Sequence, residues 1–440
     1  MAGPTSDSAT DLSVKPVPQD ERVGKGSLSM AWWAVCSAMF YIIVGGTLAL
    51  DYGTFNAIVG MLLSVLLYAV ITAIMARHAI LTGHSVTSFS VELFGKKGSL
   101  LAALILGATA IYYAVFEGSV IAVAISHLTP SISYTVAALI VVAYSVPMTL
   151  GKIQAWLDKL NGVLLPFYAF GLLAAIGMSV YKYGYAADWI HFGPAVPPTY
   201  GWWNCFVSYM GIWVLMLFAY EYAKFGKPAD SDFHARWNFG LPFYFVTILV
   251  NGVCGIYLVS SVPDIGKITE VSVVLAILSL LGVWGLVFVW ATQTRINSAN
   301  FFVATGNVRI LGQSLGLRLP YAGWVMIVGA LVFMLMLADV FSYLLEALAY
   351  QGIIVVAWVG VAFARILAVR KYSELPGAVE AKPYNAAGLL AWSLASVTGF
   401  ALMHVSGPLA TLSAPATALV AYGVTYLSFK KSSALMAKAT

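Results

Sequence analysis

From Trp202 to Tyr220 the chain runs for about 20 residues with hardly a polar side chain, the length an α-helix needs to cross a bilayer. Glu221, Lys224 and Lys227 follow at once. A helix that is apolar on every side belongs in lipid or deep inside a bundle, not at a water surface. Similar runs recur about twelve times along the chain. Their approximate limits are 30–50, 55–76, 100–125, 132–150, 161–180, 202–222, 239–261, 272–299, 321–338, 343–368, 386–403 and 408–429. Of the 440 residues 61% are hydrophobic and 9% charged, which excludes an ordinary soluble enzyme and a disordered chain alike. The expectation is an all-α polytopic membrane protein of about 12 transmembrane helices.

Charge sets the orientation. With the amino terminus inside, one side collects Lys15, Arg22, Lys25, Arg77, Lys96, Lys97, Lys152, Lys159, Lys224, Lys227 and Arg236. Arg309, Arg318, Arg365, Arg370, Lys371, Lys430 and Lys431 follow on the same side, and the other side receives chiefly Lys182 and Lys267. Such a bias marks the cytoplasmic face. Both termini are therefore expected in the cytoplasm, with the protein integral to a membrane, by expectation a bacterial inner membrane. The net charge of +5 expresses topology and implies no nucleic-acid partner. Polar residues 1–27 read as a disordered cytoplasmic tail, 28–370 as a core holding spans one to ten, and 371–440 as the last two spans with a terminal tail. The stretch Tyr183–Tyr200, with Trp189 and a Pro-Pro pair, reads as an outer interfacial element. A monomer in contact with lipid and a small-molecule substrate is expected. Cys36, Cys205 and Cys254 lie in apolar runs and read as small buried hydrophobes, and the six histidines have no metal-ligand spacing. Neither a cofactor nor a metal is expected.

Two spans look breakable. The first carries Gly45-Gly46 within YIIVGGTLALDYG and the sixth carries Gly211. A glycine in a helix interior costs about 1 kcal/mol relative to alanine. Unwound backbone at membrane depth survives only where protein or a water-filled cavity satisfies it. Interruptions in the first and sixth spans point to two inverted repeats of five spans and a binding site at mid-membrane, the pattern of a secondary transporter. The alternative is that these glycines are close-packing contacts between helices. A channel would need rings of charge or carbonyl-rich re-entrant loops, and a membrane enzyme a nucleophile–base or metal constellation. The chain offers neither pattern.

Four stretches together resemble the nucleobase–cation symporter family, which includes the purine–cytosine and hydantoin permeases. They are IVGGTLAL around Thr47, FGKKGS at Phe94–Ser99, EYAKFGK at Glu221–Lys227 and WATQTRIN at Trp290–Asn297. The resemblance covers roughly the first 300 residues, and no single motif is decisive. It implies the five-plus-five inverted repeat of the leucine-transporter type and transport of a nucleobase, hydantoin, allantoin or vitamin precursor, coupled to Na+ or H+, with no covalent chemistry. A carrier of a small amine, amidine or amino acid on the same fold is the alternative. The chain departs from the family in reading SVELFG, with Glu92, where an Arg is usual, and Ala291-Thr292 where adjacent hydroxyls are common.

The resemblance also implies a site. On the third span Tyr113 and Glu117 share a helix face. They stand where hydantoin permeases look to have a stacking Trp and an edge-bonding Gln. A carboxylate at mid-membrane costs several kcal/mol unless paired or lining a cavity. Here it suits a ligand with several N–H donors or a cationic one. On the eighth span Gln293 and Asn297 share a face that would meet ligand, as would the backbone at Gly46 and the ring of Trp213, with Phe206 and Tyr209 as the other aromatic candidates. The carbonyls of Gly45 and Phe288 and the hydroxyl of Thr292 would hold the coupling cation. Arg295 lies within one turn of Thr292, and its charge would repel sodium by roughly a few kcal/mol at an effective dielectric near 20. Proton coupling or uniport is therefore expected over sodium coupling. Glu221, beside Lys224, reads as an inner ion pair.

Overall fold

The computed structural model describes residues 16–150, 152–263, 269, 271–338, 343–368 and 382–439, with side chains omitted for 152–163 and 429–439. Its helices follow the order of the apolar runs. Seven are long and apolar enough to cross a membrane: Lys25–Tyr52, Thr54–Thr82, Leu100–Leu128, Leu164–Tyr183, Pro228–Ser261, Leu344–Ala368 and Ala386–Met403. The bent pair Gly201–Met210 and Val214–Ala223 forms another span. Among the described residues, the shorter apolar helices Tyr134–Met148 and Tyr321–Leu337 and the longer helices Val283–Ser314 and Ser413–Ala439 bring the count to twelve, numbered as spans first to twelfth in chain order. Local chemistry sets several ends. Gly83, left-handed at φ 74°, closes the second span, and the Ser85 hydroxyl caps the short helix Val86–Phe94 by accepting from Ser88 N.

The first span is interrupted, but not at its glycines. Lys25–Trp33 tightens into a 3-10 turn over Ala34–Ser37, Ala38 is extended (φ −65°, ψ 127°), and Met39–Tyr52 resumes as helix. Gly45 and Gly46 lie inside that continuous second half. A Cβ on Gly45 would collide with the backbone of Gly252, and one on Gly255 with the carbonyl of Ile42. The glycines therefore let the first and seventh spans approach backbone to backbone. That close packing offsets their helix cost, so the expected unwinding at Gly45-Gly46 is corrected to Ala34–Ala38.

The sixth span breaks at Gly211. Gly211, Ile212 and Trp213 bond three residues back, at 3.0–3.1 Å, and the axis turns by 42°. A Cβ at Gly211 would strike the carbonyl of Leu348, and Gln351 donates to the freed Gly211 carbonyl at 3.2 Å. The tenth span thus both forces the glycine and satisfies the backbone it opens.

Two further boundaries differ from expectation. Gly282 (φ 56°) divides the anticipated eighth span, leaving Ser272–Leu281 as a separate short helix and extending the span proper to Ser314. Residues 300–314, between the expected limits of the eighth and ninth spans, are therefore helical. The stretch Val17–Val23 is held by hydrogen bonds to the bundle. Val17 N donates to Gly83 O and Val23 N to Phe225 O, while the buried Arg22 guanidinium donates to the carbonyls of Val17, Ile80 and Gly226. A guanidinium that satisfies helix-end carbonyls holds this stretch down. Residues 1–15 and the junction 369–381 lie outside the described residues.

Candidate functional site

The two interruptions face one cavity of about 90 Å³. The first span lines it with Val35, Ala38, Phe40 and Tyr41, and the third with Tyr113 and Glu117. The sixth contributes Ile212, Val214, Leu215, Phe218 and Tyr222, and the eighth Arg295, Ile296, Ala299, Asn300 and Val303. The walls are mostly apolar, more aliphatic than aromatic, with five aromatic rings among the sixteen lining residues. Phe40 stands edge-on to Tyr113 (centroids 5.1 Å apart, planes at 74°) and to Phe116 (5.1 Å, 75°), and Tyr113 faces Phe218 at 6.5 Å.

The polar groups are few. Glu117 is 2% exposed and its Oε2 has no hydrogen-bond partner. The Asn300 Nδ2, equally enclosed, also lacks one. A buried polar atom left without a partner costs about 1–3 kcal/mol, and an acceptor and a donor in the same apolar chamber await complementary groups. Chemically the chamber can stack a flat ring and bond one N–H and one carbonyl or ring nitrogen along its edge.

The expected site residues divide into those the cavity gathers and those it leaves out. Tyr113, Glu117 and Arg295 line it. Gly46 sits against Val259 and Val273, and Trp213 is turned toward Tyr68 (6.5 Å, 83°), so neither reaches it. Asn297 faces the fourth span, donating to Ser145 Oγ at 3.4 Å. Gln293 accepts from Met39 N at 3.4 Å and donates to Thr292 Oγ1 at 2.9 Å. The eighth span therefore turns a different face to the cavity than expected, the stripe through Arg295, Ala299 and Val303 with Ile296 and Asn300 beside it. Phe40, Tyr41, Phe218, Tyr222 and Asn300 were not anticipated. Four of them are apolar or aromatic residues in apolar runs with nothing local to single them out. Asn300, three residues beyond Asn297 on the same span, was the visible signal.

Each expected cation ligand packs on or bonds a neighbour within the bundle. Gly45 is packed on Gly252, Phe288 stacks on Tyr168 (5.8 Å, 18°), and Thr292 Oγ1 donates back to the Phe288 carbonyl at 2.8 Å. Glu221 stands away from the cavity, accepting from Val86 N on Oε1 and from Lys224 Nζ on Oε2, each at 2.6 Å.

A twelve-span bundle with two broken helices around a central chamber defines an integral membrane protein of the transporter fold built from two inverted repeats of five spans. Solved structures agree. The inward-facing conformation of Mhp1 matches with a TM-score of 0.75 at 15% identity, over 96% of this chain and 94% of that one. Mhp1 in a closed conformation with bromovinylhydantoin bound, described as a nucleobase-cation-symport-1 family transporter, matches at 0.71 and 16% identity over 95% and 94%. A substrate-bound, outward-open Na+-coupled sialic acid symporter matches at 0.53 and 11% identity over 94% and 90%. No family model matches the sequence, and no curated protein does. At these identities the likeness is one of fold.

Proposed function

We propose that this protein carries a small planar nitrogen heterocycle, of the nucleobase, hydantoin or allantoin, or vitamin-precursor class, across its membrane by alternating access, as a transporter of the nucleobase–cation symporter type. The observation that carries the reading is the unpartnered Glu117 Oε2 on a chamber with five aromatic rings at the junction of two broken helices. A flat ligand would lie against Tyr113, Phe40 and Phe218, give an N–H to Glu117 and accept from Asn300. Each contact completes a group that the chamber itself leaves unsatisfied, which converts the cost of burying those groups into affinity. Rocking of one five-span repeat against the other would open the chamber to either side in turn.

The basic residues support a cytoplasmic location for both termini, and a bacterial inner membrane and a monomeric state belong to the same proposal. The sequence motifs and the likeness to the hydantoin-bound Mhp1 fold favour a heterocycle over an amine or amino acid.

The test is a ligand screen by thermal unfolding of the purified protein, across nucleobases, hydantoins, allantoin, vitamin precursors, small amines and amino acids. A heterocycle bearing both an N–H donor and an adjacent acceptor should raise the melting temperature. Stabilisation by amino acids or aliphatic amines alone would overturn the reading.

A further inference from the structure

The break in the first span is held by side chains rather than left open for an ion. Arg295 Nη1 donates to the Ala34 carbonyl at 2.7 Å, where the first half ends. Two residues earlier on the same span, the Gln293 Oε1 accepts from Met39 N, where the second half begins. From the seventh span, Asn251 Nδ2 donates to the Cys36 carbonyl at 2.8 Å, with its own Oδ1 accepting from the Tyr168 hydroxyl at 3.1 Å. The Ser37 hydroxyl gives Ala34 O a second donor. All of these side chains are buried.

A sodium ion between the first and eighth spans needs several oxygens whose lone pairs point at a common centre, and no like charge beside them. The chain supplies the reverse. The oxygens of Ala34, Cys36, Phe288 and Thr292 each already accept a hydrogen bond. Position 291, where a hydroxyl would add another ligand, is Ala291. The group reaching the break is itself a guanidinium, permanently protonated and suited to bonding carbonyls. The residues present do not fit sodium.

We infer that Arg295 is a tethered cation standing in for a diffusible one, so that the protein works without sodium. It clamps the broken helix from the eighth span, to which it is covalently fixed, and the clamp is present in every transport cycle whatever the external salt. Arg295 also lines the chamber. The same guanidinium therefore touches both the space a ligand enters and the carbonyl that ends the first half-helix, and a ligand arriving there acts on the break directly, with no ion as intermediary. Arg295 is in this sense a positioning residue. The inference rests on the proposed transport function for its uptake arm alone.

The experiment has one arm that needs no substrate. The ligand-free, full-length protein is unfolded thermally in sodium and in choline at constant pH and ionic strength, for the wild type, Arg295→Lys and Arg295→Ala, each with and without methylguanidinium. The wild-type melting temperature should be the same in both salts. Arg295→Ala should melt lower, and methylguanidinium, entering the vacated place, should raise it again while leaving the wild type unmoved. Arg295→Lys should remain indifferent to sodium. A wild-type protein that sodium stabilises over choline overturns the inference, as does an Arg295→Ala protein that melts like the wild type or ignores methylguanidinium. Should Arg295→Ala not fold, the wild type and Arg295→Lys decide. In liposomes, uptake of whichever heterocycle the screen identifies should proceed equally in sodium and choline. Uptake by Arg295→Ala should fall by ~tenfold or more and recover in part with methylguanidinium. If no heterocycle is found, the transport reading fails while the ligand-free arm still answers.

Discussion

Glu221, near the end of the sixth span, accepts the backbone N–H of Val86 at 2.6 Å and so fastens the short helix Val86–Phe94 to the second half of a broken span. Its other oxygen takes Lys224 Nζ at 2.6 Å. The bond to Val86 occupies one of the amides a helix start leaves free, where a carboxylate is favoured by the helix dipole as well. Replacing Glu221 by alanine should cost about 1–3 kcal/mol, the range for a buried donor left without its partner. Glu221→Gln should recover part of it by still accepting from Val86. Thermal unfolding of the two purified variants measures both. Equal stability of Glu221→Ala and wild type would show that the contact does not hold the two elements together.

The loop between the second span and that short helix carries a titrating group. His84 is half-buried, with its Nδ1 3.1 Å from Ser88 Oγ, and burial holds its pKa below the usual histidine range. A base whose folded pKa is depressed is charged more readily in the unfolded chain. Its contribution to stability is thus complete above the unfolded value, about 6.5, and is lost as pH falls below it toward the folded value. The melting temperature should therefore drop between roughly pH 7.5 and pH 5.5. In His84→Gln, which cannot titrate, that slope should be shallower. An identical pH profile in the variant would remove His84 as the cause.

The paired glycines of the first span make a prediction by their inequality. A Cβ at Gly45 meets the backbone of Gly252, which cannot yield, whereas one at Gly46 meets the Val273 and Val259 methyl groups at 3.2 and 3.3 Å. Gly45→Ala should destabilise by about 1–3 kcal/mol or more, as overpacking does. Gly46→Ala should cost less, and the better helix propensity of alanine offsets part of that cost. Expression level and melting temperature of the two variants compare them directly. If the pair marked an unwound segment, both alanines would act alike.

That inequality also explains what the sequence could and could not reveal. The number and order of spans are written in apolar length, because a helix crossing lipid has no other way to satisfy its backbone. Glu117 stands out because a carboxylate in an apolar run needs a reason to be there. The true break at Ala34–Ala38 has no such local mark. AVCSA contains no glycine or proline, and the segment opens because Asn251, Gln293 and Arg295, more than 200 positions away in sequence, bond what it exposes. Glycine suggested a break at Gly45-Gly46 because glycine weakens a helix, but the residue that lets two helices touch is the same one. The eighth span failed by rotation. Each residue turns a helix by ~100°, so choosing Gln293 and Asn297 as the inward face, rather than Arg295, Ala299 and Val303, exchanges ligand contacts for contacts with Met39 and Ser145.

Within the chamber Glu117 and Asn300 present opposite hydrogen-bonding characters, and a pair of substitutions tests whether both read the ligand. Glu117→Gln keeps the shape and exchanges one of two carboxyl oxygens for an NH2 group with two donors. For a ligand that gives an N–H to Glu117, its affinity should fall by ~10-fold, since an N–H donor left facing a donor costs about 1–3 kcal/mol. Analogues whose edge offers an acceptor at the same place should lose much less. Asn300→Ala should lower affinity by a smaller factor, because a neutral donor contributes about 0.5–1.5 kcal/mol, and the loss should be confined to ligands with an acceptor on the edge it faces. Dissociation constants for a matched set of donor and acceptor analogues, measured on wild type and both variants, give the comparison. If Glu117→Gln weakens donor and acceptor analogues equally, the carboxylate supports the chamber's structure and does not select its guest. The two substitutions should then also lower the melting temperature of the ligand-free protein. A selective loss of affinity with no loss of stability is the outcome expected of groups that the chamber itself leaves without partners.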